Sequence, residues 1–214
     1  MAADCETAHG LYIVIEGQDG TGKTTQVNRL AEHFRALGRE VVVINEGAET
    51  DSGLASTDAI NKIIHAKKFA LTPETNVALF TAQRLELWRK IIAPALAKNR
   101  VVLASRSWWT TLAYQCFGEG VPRQIVEDLT RELLPPRYIT PDAAVILTID
   151  DATRIARTRQ RSAAVAEDTF DARTNDFFAR ANAGYTTIAR ELHLPIIDAS
   201  GTIEEATQKI MEYI

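Results

Sequence analysis

The stretch GQDGTGKTT, Gly17 to Thr25, lies between the apolar run LYIVIE and the amphipathic segment QVNRLAEHF, and it constrains the fold more than any other part of the chain. The spacing G-x-x-x-x-G-K-T is met by Gly17, Gly22, Lys23 and Thr24, with the buried strand before it and the helix after it that the pattern requires. Glycines let the backbone fold tightly enough for successive N–H groups to line a concave anion nest at a helix N-terminus. We therefore expect the whole loop, Gly17, Gln18, Asp19, Gly20, Thr21, Gly22, Lys23, Thr24 and Thr25, to cradle nucleotide phosphates. Lys23 is expected to reach the β- and γ-phosphates of ATP, and the Thr24 hydroxyl to ligate Mg²⁺.

Five short runs rich in β-branched residues punctuate the chain: LYIVIE (11–16), EVVVIN (40–45), RVVLAS (100–105), AAVILTI (143–149) and LPIID (194–198). They are almost continuously apolar rather than alternating, as strands buried on both faces are. Longer amphipathic segments separate them. In the segment 72–99, Thr72 reads as an N-cap with Pro73 at the first helical position, and Pro94 should bend or break the helix near its last turns. The expected fold is α/β: a P-loop NTPase three-layer fold, with a five-stranded parallel sheet covered by helices on both faces and a short helical lid near residues 151–170. One domain spans 1–214, with 1–9 as a flexible N-terminal tail. Ligands in such a sheet bind outside the carboxyl ends of the strands.

Composition limits the function further. The net charge of −4 argues against a general nucleic-acid binder, which needs an excess of Lys and Arg. Two cysteines, Cys5 and Cys116, form no disulfide framework and fit a reducing compartment. The first residues contain no apolar signal core, and no run is long enough to span a bilayer, so a soluble cytoplasmic enzyme is expected.

The residues that follow the other strands add chemistry. In SRSWWTTLAYQ (105–115), Arg106 follows the third strand, where a planar guanidinium can clamp a phosphate with two parallel hydrogen bonds. Thr110, Thr111 and Gln115 offer donors and acceptors for a base edge. Trp108 and Trp109 are adjacent, so at least one is expected to line a cleft or an interface. Phe80 and Arg84, four residues apart on one helical face, suit a stacked base with a carbonyl to satisfy. Arg154, Arg157, Arg159 and Arg161 follow the fourth strand. The first two and Arg161 share a helical face, either as a solvated basic surface or as a lid that brings positive charge to a phosphoryl group in transfer.

The order of motifs resembles the thymidylate kinases: YIVIEGQDGTGKTTQ, LFTAQR, IIAPALAKNRVV, TTLAYQ, the arginine-rich segment, and NDFFARANAGY before PIIDA. The resemblance implies a homodimer that transfers the γ-phosphate of ATP to the 5′-phosphate of thymidylate (dTMP). It implies that Asp19 approaches the deoxyribose 3′-hydroxyl, that Phe80 stacks on thymine and Arg84 meets its O4, and that Thr110, Thr111, Tyr114 and Gln115 line the acceptor site. Arg106 would bind the acceptor phosphate and the lid arginines would assist transfer. Three positions depart from the family pattern: Ser105 precedes Arg106 where the family has Asp, Asn45 stands for the Arg of R-E-P-G-G, and Thr169 for the Arg of the lid's Asp-Arg-x-Glu. Two alternatives stand beside it: a deoxynucleoside or other nucleotide kinase of the same fold, suggested by the Arg106-Ser107 pair with a carboxylate near Glu46 as base, and, from the three departures, a nucleotide-binding protein with weak or no turnover.

Overall fold

The computed structural model describes residues 10–46, 54–150, 153–157 and 174–214. The five apolar runs become five parallel strands: β1 Leu11–Gly17, β2 Val41–Asn45, β3 Val101–Ser105, β4 Ala143–Thr148 and β5 Ile196–Asp198. Their order across the sheet is β2-β3-β1-β4-β5, so from β1 the chain runs out to the edge at β2, returns to β3 beside β1, and then crosses to β4 and β5 on the other side. β1 is central, with Leu11 to Ile15 paired to Val101 to Ser105 on one side and Ile13 to Gly17 paired to Ala143 to Leu147 on the other.

Helices cover both faces: α1 Lys23–Ala36, α2 Ala55–His65, α3 Pro73–Leu87, α4 Ala93–Ala97, α5 Trp108–Thr111, α6 Arg123–Leu133, α7 Pro136–Ile139, α8 Asn175–Leu192 and α9 Ile203–Met211. Alternate residues of β1 feed two cores. Tyr12 and Val14 pack in the core shared with α3, α8 and Trp109, and Ile13 and Ile15 in the core beneath α1 and α9. Each fully buried aliphatic side chain contributes about 1.5–3 kcal/mol, so β1 anchors both layers.

Two expectations need correction. β2 reads as a strand buried on both faces, yet it is an edge strand in which Val41, Val42 and Val43 are only half-buried. A hydrophobic run does not reveal that nothing pairs beyond it. Trp108 and Trp109 are both buried, at 8% and 3% exposure. Adjacent tryptophans are accommodated because α5 is enclosed on more than one side: Trp108 donates its indole N–H to the Ile139 carbonyl at 3.2 Å, and both rings join the core.

The capping reading of α3 holds, since Thr72 Oγ accepts from the Thr75 N–H. Near Pro94 the α-helical winding gives way to a π-helical turn, Trp88–Ile92, before α4. Proline has no N–H to return to the carbonyl four residues back. Arg159, Arg161, Thr169 and the tail 1–9 lie outside the described residues, as does most of the expected lid; residues 153–157 are helical. Among the described residues no helix is long and apolar enough to cross a membrane.

Candidate active site

Helix α1 begins directly beneath the glycine-rich loop. Its N-cap is Gly22, at φ 87°, with no side chain capping the first turn and no acidic residue in that turn. A helix N-terminus carries roughly half a positive charge and unpaired N–H donors. This one is left open toward solvent, with no atom within 4 Å of where a Gly22 side chain would start. At Gly17 the constraint is close approach: a Cβ there would stand 2.3 Å from the Leu147 carbonyl oxygen of β4. Lys23 Nζ donates to the Gln18 carbonyl at 2.8 Å, folding back over the loop, and Thr21 Oγ donates to the same oxygen. Thr24 is exposed on the first turn.

The turn after β3 is built by hydrogen bonds from β1. Arg106 has φ 75°, a left-handed conformation that costs a non-glycine residue about 1 kcal/mol or more. Its N–H donates to the Ile15 carbonyl at 3.0 Å. Beside it the Glu16 carboxylate, with no exposure to solvent, accepts from the Ser107 N–H at 2.6 Å, Ser107 Oγ at 2.8 Å, the Thr110 N–H at 3.2 Å and Thr110 Oγ at 2.8 Å.

The Arg106 side chain reaches the loop. Its Nη2 lies 2.5 Å from an Asp19 carboxylate oxygen, and Tyr114 donates its hydroxyl to the other oxygen at 3.0 Å. Nη1 points at Thr110 Oγ and the Tyr185 hydroxyl, at 3.4 and 3.5 Å. Burial opposes the Arg106 charge, but Asp19 and the neighbouring phenol groups hold the guanidinium protonated above its usual range. Burial likewise pushes the Tyr114 phenol up, so its proton stays in place to donate. Arg106, Asp19, Thr110 and Tyr114 thus converge, as the sequence suggested. Tyr185, from α8, joins them without having been singled out; its signal was its place in the NDFFARANAGY segment.

A second cluster lies deeper. Arg84 donates from Nε to Glu46 at 2.8 Å, from Nη1 to Thr111 Oγ at 2.7 Å and from Nη2 to the Ser107 carbonyl at 2.8 Å. Its guanidinium carbon is 5.5 Å from the centre of the half-buried Phe80 ring, so the pair shares a face. Burial pushes the Glu46 carboxyl up against the pull of Arg84 and Tyr138. It also opposes the Arg84 charge, which Glu46 restores. The directions conflict, and the 2.8 Å contact decides for the ion pair, because an arginine so placed does not give up its proton. Tyr138 donates to the other Glu46 oxygen. Removing one partner from a buried pair strands the other, so Arg84→Ala is expected to cost about 3–5 kcal/mol in denaturant unfolding. The double variant Glu46→Gln/Arg84→Met should recover part of that loss. Gln115, also buried, donates to Glu119 at 3.1 Å, and among the described residues its buried carbonyl oxygen has no partner.

The described arginines after β4 diverge. Arg157 donates to the Gly20 carbonyl of the loop at 3.4 Å and to Ala199 after β5 at 3.1 Å. Arg154 is 5% exposed, with its guanidinium 4.7 Å from the centre of the Phe178 ring. Of the two readings of this cluster, Arg154 and Arg157 do not form a shared solvated face, since one packs on Phe178 and the other bonds the loop.

The sequence model of thymidylate kinases matches residues 15–210. The chain belongs to the thymidylate kinase family. It is 35% identical to the thymidylate kinase of Cereibacter sphaeroides over 205 residues, covering 92% of this chain and 91% of the relative. The Kosmotoga olearia thymidylate kinase is 29% identical over 204 residues, with 94% of each chain covered. The crystal structure of the Ehrlichia chaffeensis thymidylate kinase superposes with a TM-score of 0.73 at 23% identity, over 95% of this chain and 98% of that one, and shares the fold.

Against the family pattern, the departures at Asn45 and Ser105 acquire a common meaning, because the two are register partners on β2 and β3. One positive and one negative position are replaced side by side, which leaves the local charge unchanged. Ser105 is 4% exposed. Ser105→Asp alone should therefore lower stability by about 1–3 kcal/mol through an uncompensated buried carboxylate, and adding Asn45→Arg should restore part of it. A thermal-melt double-mutant cycle measures the coupling.

Proposed function

We propose that the protein transfers the γ-phosphoryl group of ATP to the 5′-phosphate of dTMP, giving ADP and dTDP. An acceptor phosphate oxygen forms the new P–O bond as the bond to the ADP oxygen breaks, and no covalent enzyme intermediate is needed. The observation that carries this reading is the contact between Arg106 and Asp19 at 2.5 Å, which sets a phosphate-binding guanidinium beside the open donor-phosphate loop. Catalysis of this kind is positioning and charge stabilisation.

In this reading the N–H groups from Gly17 to Thr25 hold the ATP phosphates and Lys23 neutralises their charge. Thr24 would be the protein ligand for Mg²⁺, which would supply positive charge to the nucleotide phosphates. The residues fit such an ion: the exposed Thr24 hydroxyl stands at the phosphate end of α1, and among the described residues no cluster of three or more acids, histidines or cysteines offers a separate cage. Magnesium in phosphate sites keeps water and substrate oxygens as most of its ligands. Arg106 clamps the acceptor phosphate, Asp19 and Tyr114 meet the sugar, and Phe80, Arg84, Thr110, Thr111 and Gln115 recognise the base. Arg157, with Arg154, Arg159 and Arg161, supplies charge over the donor. The active form is a cytoplasmic homodimer.

The deoxynucleoside kinase alternative asks Glu46 to act as a base on a hydroxyl. Glu46 is 4% exposed, with both oxygens engaged by Arg84 and Tyr138, which favours a monophosphate acceptor instead. An ADP-release assay with ATP and Mg²⁺ against dTMP, dUMP, the other nucleoside monophosphates and thymidine tests the assignment. dTMP is expected to give the highest kcat/KM. Turnover with thymidine alone, or nucleotide binding without turnover, would overturn it.

A further inference from the structure

Arg106 keeps a left-handed backbone conformation with its side chain over the loop. We propose that Glu16 is the positioning residue for Arg106: it holds the Ser105-Arg106-Ser107 turn in its strained geometry and so sets the affinity for the acceptor phosphate. The inference rests on the kinase reading.

Glu16 is the penultimate residue of β1 and has 0% exposure. A carboxylate there is costly unless its oxygens are satisfied. Among the described residues, the hydrogen bonds that satisfy it come from neutral donors. One comes from the N–H of adjacent Gly17 at 3.3 Å, and the rest come from the turn and helix just beyond Arg106, through both the N–H and the hydroxyl of Ser107 and of Thr110. The N–H of Arg106 itself is taken by the Ile15 carbonyl. β1 therefore grips the chain on each side of the Arg106 α-carbon, through a carbonyl before it and a carboxylate after it.

The grip continues to the guanidinium. Thr110 Oγ donates to Glu16, lies 3.0 Å from the Tyr185 hydroxyl and is 3.4 Å from Arg106 Nη1. Glu16 thus fixes the backbone of Arg106 and, through Thr110, one side of its head group. Ser105 directly precedes the arginine, and the carboxylates that act on the turn are Glu16 from behind and Asp19 from the loop.

The experiment compares Glu16→Gln, Arg106→Ala and the double variant in the full chain, with KM measured separately for ATP and for the monophosphate the wild-type protein phosphorylates. Hydrogen bonds to a charged acceptor are strong enough that Glu16→Gln should raise the acceptor KM roughly tenfold or more, with the ATP KM unchanged. In the Arg106→Ala background the same substitution should have no further effect on acceptor kinetics. Equal rises in both KM values, or effects that multiply in the double variant, would overturn the proposal. Ser107→Ala removes a hydroxyl donor to Glu16 from the turn itself and stands in if Glu16→Gln does not fold. Amide exchange on the ligand-free protein separates this inference from the kinase reading. Glu16→Gln should speed exchange at Ser107 and Thr110 while leaving α1 unchanged, even in a protein that turns over no monophosphate. Unchanged exchange at both residues would sink the positioning role whatever the substrate.

Discussion

Lys23→Ala is expected to lower kcat for phosphoryl transfer by about 10³-fold or more while the protein still folds. Lys23 is 6% exposed and its ammonium lies against the Gln18 carbonyl, so it is already in place over the loop when the phosphates arrive. A charge held in a partly dry site and aimed at phosphate oxygens needs no reorganisation during transfer, which is why single preorganised donors are worth about 10²–10³ in rate, and charged ones in phosphoryl transfer more. The uncapped first turn of α1 still binds phosphate in the variant, so ATP affinity should fall less than kcat. The ADP-release assay, with ATP binding measured by calorimetry and folding by thermal melt, separates these effects. A kcat within tenfold of wild type would mean that Lys23 serves the loop's structure rather than the reaction.

Arg106→Ala is expected to raise the dTMP KM by about 10²-fold and to leave the ATP KM within roughly threefold, since a bidentate charge-assisted clamp contributes several kcal/mol and only the acceptor uses it. The backbone makes a sharper comparison possible. Alanine at φ 75° keeps the strain of the left-handed conformation, whereas glycine does not. Arg106→Gly should therefore melt above Arg106→Ala by a margin corresponding to about 1 kcal/mol, with the same loss of dTMP affinity. Acceptor kinetics unaffected by either substitution would remove the phosphate clamp from Arg106. Loss of ATP affinity in both would assign the arginine to the donor side.

The strands and the glycine-rich loop were legible in the sequence because each depends on neighbours along the chain. Five runs of β-branched residues could satisfy neither an exposed strand nor a long helix, and they became strands whose bounds lie within two residues of the apolar runs. What misled was always a question of what lies opposite. Val41 to Val43 are hydrophobic at an edge, Trp108 and Trp109 are both buried because α5 is enclosed, and Arg84 reads as an arginine on a helix although Glu46, 38 residues away, takes its Nε. Glu16 could be seen as an acid at the end of an apolar strand, but its partners Ser107 and Thr110 lie 91 and 94 residues further on.

The proposed donor-phosphate site is local to one stretch of sequence. Its N–H groups, its lysine and its hydroxyl come from nine consecutive residues, so the spacing of glycines is sufficient to form it once a strand precedes and a helix follows. The acceptor site does not exist in any segment. Arg106 meets Asp19 and Tyr114 because β1 and β3 pair in one particular register and α8 brings Tyr185 against the same turn, and hydrogen bonds from β1 reach the left-handed turn on both sides of Arg106. Contacts of that range pay their chain entropy through the packing of the whole sheet, and no local pattern of residues records them.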